Sequence, residues 1–320
     1  MNRITQGVAY GLAAGALWGS VFMVPVWVPD FTPWQLSAGR YLAYGICSAL
    51  LLAPRARTLL PQVRRREWLA LAWLSLLSNV LYYVLLASAV QLGGVAMTTL
   101  VIGFMPVAVT VIGARRYRNV SLQRLIPSLL LGFAGVTCTA WPALLAPQTA
   151  TFAHSLIGLA CALGALASWT AFAVSNSTWL KQLDHISARD WSLLLGLVTG
   201  AEALLLLIPA LYEHTAHERS AWLGFAGACI GLSVFASVIG NAFWNRMSRL
   251  LPLTMTGQMI LFETLFALLY CFLWERRWPH ASEAAALVLL VASVLLCMSI
   301  HRTPAPSAKA DTTDQASGTA

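Results

Sequence analysis

The sequence has few charged residues, and this scarcity is the first constraint on its class. Only 10% of its 320 residues are Asp, Glu, Lys or Arg, whereas soluble globular domains carry roughly 25%. Hydrophobic residues make up 58% of the chain, and the mean hydropathy is +0.71. These values exclude an ordinary soluble domain and predict a polytopic membrane protein.

The residue groups of metal and nucleotide chemistry are also missing. The six cysteines lie inside apolar runs without CxxC spacing, and the six histidines fall in predicted loops or helix ends. No GxxxxGK(S/T) phosphate-binding loop is present. The sequence therefore predicts no metal, no cofactor and no ATP-driven step. It also disfavours an integral-membrane enzyme, which would need clustered His, Asp or Cys.

The sequence instead contains long apolar runs divided by proline and glycine. A helix of roughly 20 apolar residues is long enough to cross a bilayer. Ten such runs can be counted, at about 6–28, 34–53, 67–90, 93–113, 122–145, 154–176, 190–211, 220–243, 254–274 and 283–300. We therefore predict an all-α integral membrane protein with ten transmembrane helices, located in the cell inner membrane.

The basic residues are distributed unevenly between alternate loops. Sixteen Lys and Arg fall on one side of the predicted membrane, three fall on the other, and Arg40 lies inside the second run. Because cytoplasmic loops are enriched in Lys and Arg, both termini are expected in the cytoplasm, which requires an even number of spans. This placement explains the net charge of +8 without a nucleic-acid partner.

The two halves of the sequence are similar when the ten runs are divided five and five. The aligned features are Trp18 with Trp169, Asn79 with Asn241, and residues 102–104 with 260–262. Two copies of a unit with an odd number of spans must insert with opposite orientations. We predict two inverted five-helix repeats, at 1–150 and 151–302, and a disordered cytoplasmic tail at 303–320.

A single carboxylate, Glu263, stands at the centre of the apolar run 254–274. A charge at mid-bilayer costs about 2.5 to 3.5 kcal/mol on insertion scales, so we interpret Glu263 as a pathway residue and candidate proton carrier. Helical spacing puts Thr256 on the same stripe. The alternative is a neutral or paired carboxyl that joins two helices. Glu202, in the seventh run, is a second candidate proton carrier.

Further polar groups lie in other apolar runs. Asn79 and Asn241 are amides in hydrocarbon that must bond to a helix, to water or to a ligand. Arg40 either extends to the membrane surface, pairs with a carboxylate, or binds an anionic group of a substrate. Aromatic side chains are expected to wall the substrate pocket, and these are Trp18, Trp169, Tyr82 and Trp244.

Glycines recur every four residues along the first run, which predicts a face where another backbone packs closely. These are Gly7, Gly11, Gly15 and Gly19. Gly227 and Gly231 have the same spacing in the eighth run and carry the same prediction.

A combination of residues points to a known family. It consists of Trp18 in a small-residue first helix, Arg40 early in the second, Pro106 in the fourth, and Glu263 and Glu275 in the ninth. Over about residues 6–302 the chain resembles the EamA-like transporters of the drug/metabolite transporter superfamily. The resemblance implies a central cavity lined by the first four helices of each half. It also implies that the fifth and tenth helices pack together or form a homodimer contact.

The expected function is secondary transport. We expect an inner-membrane exporter of a small metabolite, such as an amino acid or an aromatic compound. It would work by alternating access, with proton coupling as one driving force. Two alternatives stay open: a non-transporting membrane sensor or assembly factor, and a sugar-phosphate or nucleotide-sugar carrier.

Overall fold

The structure is a computed structural model that describes residues 3–23, 27–28, 30–93, 95–117, 120–145, 152–212 and 217–302. The predicted tail at 303–320 lies outside the described residues. The regular structure within these ranges is helical. The main helices are α1 (Arg3–Gly19), α2 (Pro33–Leu52), α3 (Arg65–Ser75), α4 (Leu81–Gly93), α5 (Val95–Ile102), α6 (Met105–Tyr117), α7 (Leu122–Leu145), α8 (Phe152–Gln182), α9 (Ala188–Glu202), α10 (Arg219–Leu232), α11 (Asn241–Leu250), α12 (Leu253–Met259), α13 (Leu261–Glu275) and α14 (Ala281–Arg302).

Eight helical segments of the described chain are long and apolar enough to cross a membrane. They are Trp34–Gln62, Arg65–Gly93, Leu122–Trp141, Ala153–Gln182, Ala188–Tyr212, Arg219–Leu250, Leu253–Glu275 and Ala281–His301. Helix α1 has 17 residues, and α5 and α6 are separate helices of 8 and 13 residues, so these parts fall below the length of a single span. The prediction of an all-α membrane protein is confirmed.

Several long helices change their hydrogen-bond pattern in mid-course. A π-helical segment at Leu76–Val80 joins α3 to α4, and another at Ser233–Gly240 joins α10 to α11. Helix α9 tightens into a 3₁₀ segment at Ala203–Leu206. The chain also breaks between α5 and α6, where Gly103 lies, and between α12 and α13 at Ile260. Such interruptions release backbone groups that side chains must satisfy inside a membrane.

The glycine face of α1 packs closely on neighbouring helices, as its spacing predicts: Gly7 and Gly11 meet the segment 247–259, and Gly15 and Gly19 meet α13. A methyl group placed on Gly15 would lie 2.5 Å from Phe262 Cβ, and one on Gly19 would lie 2.8 Å from the Ala267 nitrogen. The remaining major helix pairs are α2 with α9, α4 with α8, α6 with α12, and α7 with α14.

The same prediction is wrong for the glycines of α10. A methyl group on Gly227 or Gly231 would meet no atom within 4 Å. The four-residue spacing is therefore used for close packing in α1 but not in α10. The reason is that the spacing marks a smooth face and does not determine whether another helix covers it.

Polar contacts hold one end of the bundle together. Arg55 pairs with Asp190 at 2.8 Å, and His185 Nε2 lies 3.4 Å from a carboxylate oxygen of Glu67. Arg249 donates hydrogen bonds to two carbonyls of the loop after α8. Three of the loops that the charge pattern assigns to one side therefore meet at one end of the molecule.

The other end is joined by aromatic rings. Phe31 stacks on His217 with centroids 4.2 Å apart and on Phe225 at 4.3 Å. Trp222 approaches Phe31 edge-on at 5.0 Å. These contacts connect the segment before α2 to the start of α10, so the two ends of the bundle are closed by different kinds of interaction.

The crossing of α2 and α9 gives a direct test of this packing. Gly45 and Gly200 touch there, and a methyl group on Gly200 would lie 2.5 Å from the Gly45 Cα atom. Gly200→Leu should lower the free energy of unfolding of the purified protein in detergent by about 1 to 3 kcal/mol, because the backbone of α2 or α9 must move to make room for the new side chain. Gly227→Leu is the matched control and should have little effect. Equal losses in the two variants would contradict the described packing.

Candidate functional site

Glu263 lies just after the break between α12 and α13, in the first turn of α13. A carboxylate in that position interacts favourably with the helix dipole. The carboxylate is desolvated by surrounding protein, and its main favourable electrostatic interaction is with Arg40 of α2. Among the described residues no ion pair within 4.0 Å joins these two groups. Tyr82 of α4 lies close enough to interact electrostatically with both Glu263 and Tyr41.

Arg40 lies among aromatic groups inside the bundle. Its guanidinium carbon is 5.4 Å from the centroid of the Tyr41 ring, and it interacts electrostatically with Tyr44. The Nε atom of Arg40 is buried and has no hydrogen-bond partner in the described structure. Its backbone carbonyl accepts a hydrogen bond from the Ser233 hydroxyl at 2.8 Å. Part of the hydrogen-bonding capacity of this cation is therefore unused.

Asn241 belongs to a hydrogen-bond chain that crosses three helices. Its Nδ2 atom donates to the Tyr44 hydroxyl at 3.2 Å, and that hydroxyl donates to the Ser192 carbonyl at 2.9 Å. Tyr44 and Ser192 are each 1% exposed, whereas Asn241 is half-buried, so these hydrogen bonds run from the packed interior to a partly accessible amide. The chain links α11, α2 and α9 beside Arg40.

Three indole rings form a continuous aromatic wall. The centroids of Trp18 and Trp244 are 5.0 Å apart, and those of Trp169 and Trp244 are 5.7 Å apart. Trp18 donates to the Ala236 carbonyl at 3.0 Å. Trp244 is buried, and its Nε1 atom has no partner in the described structure. Tyr82 packs against the same hydrophobic cluster, so the wall reaches the neighbourhood of Glu263.

Asn79 and Glu202 lie in a second polar group, between the α3–α4 helix and α9. Asn79 Nδ2 donates to the Thr199 hydroxyl at 3.1 Å, and the Ser75 and Thr199 hydroxyls are 2.8 Å apart. Glu202 is hydrogen-bonded to Ser75. The predicted Asn79 and Asn241 are thus both bonded between helices, although in different groups.

Thr256 is not brought to either group. It is fully buried and donates at 3.2 Å to the Pro252 carbonyl of the preceding turn. Its neighbour Gly257 packs against α6, where an added methyl group would lie 2.9 Å from the Pro106 carbonyl oxygen. The helical stripe that joins Thr256 to Glu263 is interrupted at Ile260, so the two residues no longer share one continuous face.

Several residues of these groups are absent from the sequence prediction. Ser75 lies four residues before Asn79 and shares its helical face, which is the signal that identifies it. A further buried pair joins Asn176 to Asn245 at 2.9 Å, and Trp191 donates to the Asn176 oxygen at 2.9 Å. Their signal is the same as that of Asn79 and Asn241, an amide within an apolar run.

Known proteins resemble this chain in both sequence and structure. Residues 5–141 match the EamA-like transporter family. The chain is 31% identical over 313 residues to inner membrane protein YtfF of Escherichia coli (strain K12), across 92% of this chain and 95% of the relative. A solved crystal structure of a protein superposes with a TM-score of 0.73, covering 93% of this chain and 99% of its own at 19% identity. That last likeness shows a shared fold.

The hydrogen-bond chain through Tyr44 can be tested by removing one hydroxyl. In Tyr44→Phe the ring still packs against Gly196, but the Asn241 amide and the Ser192 carbonyl each lose a buried partner. The variant should be destabilised by about 1 to 3 kcal/mol, measured by thermal unfolding in detergent. Tyr10→Phe is the control, because Tyr10 packs through its ring against Phe243. If the control lost as much stability as Tyr44→Phe, the hydrogen bonds made by the Tyr44 hydroxyl would not be what stabilises the protein there.

Proposed function

The chain belongs to the EamA-like transporter family and is a multi-pass inner-membrane transporter, not an enzyme; from this premise we propose that it exports a small zwitterionic metabolite. The cargo class that fits best is an amino acid, especially an aromatic one. The observation that carries this proposal is the presence of two unlike charges, Arg40 and Glu263, which interact electrostatically without a direct ion pair, beside an aromatic wall.

The recognition chemistry follows from these groups. The free hydrogen-bonding capacity of Arg40 suits a substrate carboxylate, and Glu263 suits an ammonium group. The indoles of Trp18, Trp169 and Trp244 offer an apolar surface for a flat side chain. In the part of the chain that the structure describes, Arg40 is the cation that interacts with Glu263, and one cation suits a doubly charged sugar phosphate less well.

The proposed architecture is ten spans in two inverted five-helix repeats, at 1–150 and 151–302. Helices α2 and α9 are the second and seventh proposed spans, and α7 and α14 are the fifth and tenth. Equivalent spans of the two halves therefore pack against each other in both pairs, which supports this symmetry. The third and eighth spans each contain a π-helical segment, and the fourth and ninth are each broken at the aligned residues 102–104 and 260–262. Discontinuous helices at matching positions of two repeats are typical of transporter binding sites.

Side-chain contacts repeat the same relation. Trp18 of the first span donates to the Ala236 carbonyl within the π-helical segment of the eighth. Ser168 of the sixth span donates at 2.7 Å to the Leu77 carbonyl within the π-helical segment of the third. Each half therefore donates a hydrogen bond to a carbonyl in the π-helical segment of the other, and this reciprocity supports the proposed inverted pair.

Transport would proceed by alternating access, with a proton carried on Glu263. Proton and substrate would bind preferentially to opposite conformations, so that one is released as the other enters. The absence of a phosphate-binding loop in the sequence leaves ion or substrate gradients as the driving force. Both termini are proposed to face the cytoplasm, on the basis of the charge distribution.

The first test examines cargo and coupling together. Comparison of the medium from overexpressing and deletion strains should reveal an accumulating amino acid, which is then loaded into proteoliposomes. A pH gradient should accelerate its flux through the wild type, and Glu263→Gln should remove that acceleration. Glu275→Gln is the control, since Glu275 is exposed at the other end of α13. Unchanged pH dependence in Glu263→Gln would remove this residue as the carrier.

The second test concerns orientation. Single cysteines placed at Gln62 and at His280, in a cysteine-free background, should differ in their reaction with a membrane-impermeant maleimide added to intact cells. Cysteine at 280 should react and cysteine at 62 should react only after lysis, because 54–66 is the arginine-rich connection. The reverse pattern would invert the proposed topology.

A further inference from the structure

The group formed by Ser75, Asn79, Thr199 and Glu202 has a composition that ordinary helix packing does not require. It contains two hydroxyls, one amide and one carboxylate within a connected set of contacts of 2.8 and 3.1 Å. Ser75 and Thr199 are fully buried. All four side chains can present oxygen atoms, and oxygen is the ligand atom that hard cations prefer.

The carboxylate of this group is incompletely satisfied. Glu202 bonds to Ser75, but its Oε2 atom is buried and has no partner in the described structure. Among the described residues no ion pair within 4.0 Å includes Glu202. Glu202 as a whole is partly exposed, but a carboxylate oxygen that is buried without a partner is costly, so a positive ion at this point would relieve it.

The backbone is irregular on both sides of the group. Asn79 lies within the π-helical segment Leu76–Val80. Glu202 is the last residue of α9, where the helix tightens into the 3₁₀ segment Ala203–Leu206. Helix ends and unwound backbone in membrane transporters present carbonyl groups and a negative dipole end, which coordinate Na⁺ or H⁺. Two helices with irregular backbone therefore face each other at the Glu202 carboxylate, whose Oε2 atom has no partner in the described structure.

We propose that this group is a binding site for a sodium ion. Its ligands would be the Glu202 carboxylate, the Ser75 and Thr199 hydroxyls, and the Asn79 amide oxygen. A 180° rotation of the Asn79 side-chain amide would bring this oxygen to the position of Nδ2. One carboxylate balances a monovalent ion. Within the described ranges no cluster of three His, Cys, Asp or Glu that would hold a divalent metal is found.

The ion would act on the substrate site through shared helices. Tyr82 lies three residues after Asn79 on the same helical rod, close to Glu263. On α9, Ser192 lies two turns before Thr199 and holds the Tyr44 hydroxyl beside Arg40. Sodium binding would fix these two helices relative to each other and would couple ion and substrate. This coupling rests on the proposed function, whereas the sodium site itself does not.

The site can be tested without any substrate. Purified full-length protein in detergent should bind ²²Na⁺ saturably, and excess unlabelled Na⁺ but not K⁺ or choline should displace it. Glu202→Gln should weaken the affinity at least about tenfold, because the single negative charge is lost. Ser75→Ala should weaken it severalfold and is a smaller change that preserves packing. Glu275→Gln is the control and should bind sodium as the wild type does, because Glu275 is exposed at the far end of α13.

Three results would overturn the sodium site. These are no saturable ²²Na⁺ binding by folded wild type, wild-type affinity in both Glu202→Gln and Ser75→Ala, or displacement by K⁺ as effective as displacement by Na⁺. If sodium does not bind but Glu202→Gln alters the pH dependence of flux, Glu202 carries a proton instead. Export that continues without sodium binding leaves the proposed function intact, and sodium binding without export rejects only the function.

Discussion

The structure depends on one constraint: inside hydrocarbon, a backbone carbonyl or amide that leaves the regular helical pattern must find a partner within the protein. The π-helical segments at Leu76–Val80 and Ser233–Gly240 release such groups, and side chains from neighbouring helices satisfy them. Ser168 serves the first and Trp18 serves the second. Irregular backbone and interhelical hydrogen bonds therefore occur together, and they place polar side chains in the interior.

The functional consequence is a division of polar groups between two locations. Arg40 and Glu263 form one location with the aromatic wall, and the cluster around Thr199 forms the other. Helix α9 contacts both, since Ser192 accepts from Tyr44 beside Arg40 and Thr199 belongs to the second location. The helical segment Arg65–Gly93 also reaches both, since it carries Asn79 and Tyr82. A movement of α9 against α2 would be felt in both places. This arrangement suits a protein that must exchange one cargo for another.

The sequence predicts a large part of this arrangement because membrane insertion imposes strong rules on composition. The helical membrane class follows from the apolar runs, and the importance of Asn79, Asn241 and Glu263 follows from the energetic cost of polar groups in lipid. The amides are bonded across helices, which is one of the three outcomes that the sequence leaves open.

Other features depend on which faces meet, and that information is nonlocal. Gly227 has the spacing of a packing glycine but faces open space, and Thr256 shares a stripe with Glu263 until the helix breaks at Ile260. Ser75 becomes significant only when Thr199, 124 positions away in the chain, is placed against it. Helical periodicity assigns a residue to a face, but tertiary packing decides what that face touches.

The two ends of the bundle are held by different kinds of contact and should therefore respond differently to salt and temperature. One end is held by the ion pair of Arg55 with Asp190, and ionic strength screens an ion pair of this kind. The other is held by rings around Phe31, and cooling weakens apolar contacts of that kind. High salt should weaken the contacts at the first end, and low temperature should weaken the aromatic contacts at the second. Under the alternating-access mechanism proposed above, the balance between inward- and outward-open forms would be adjustable from outside the molecule by salt and by temperature.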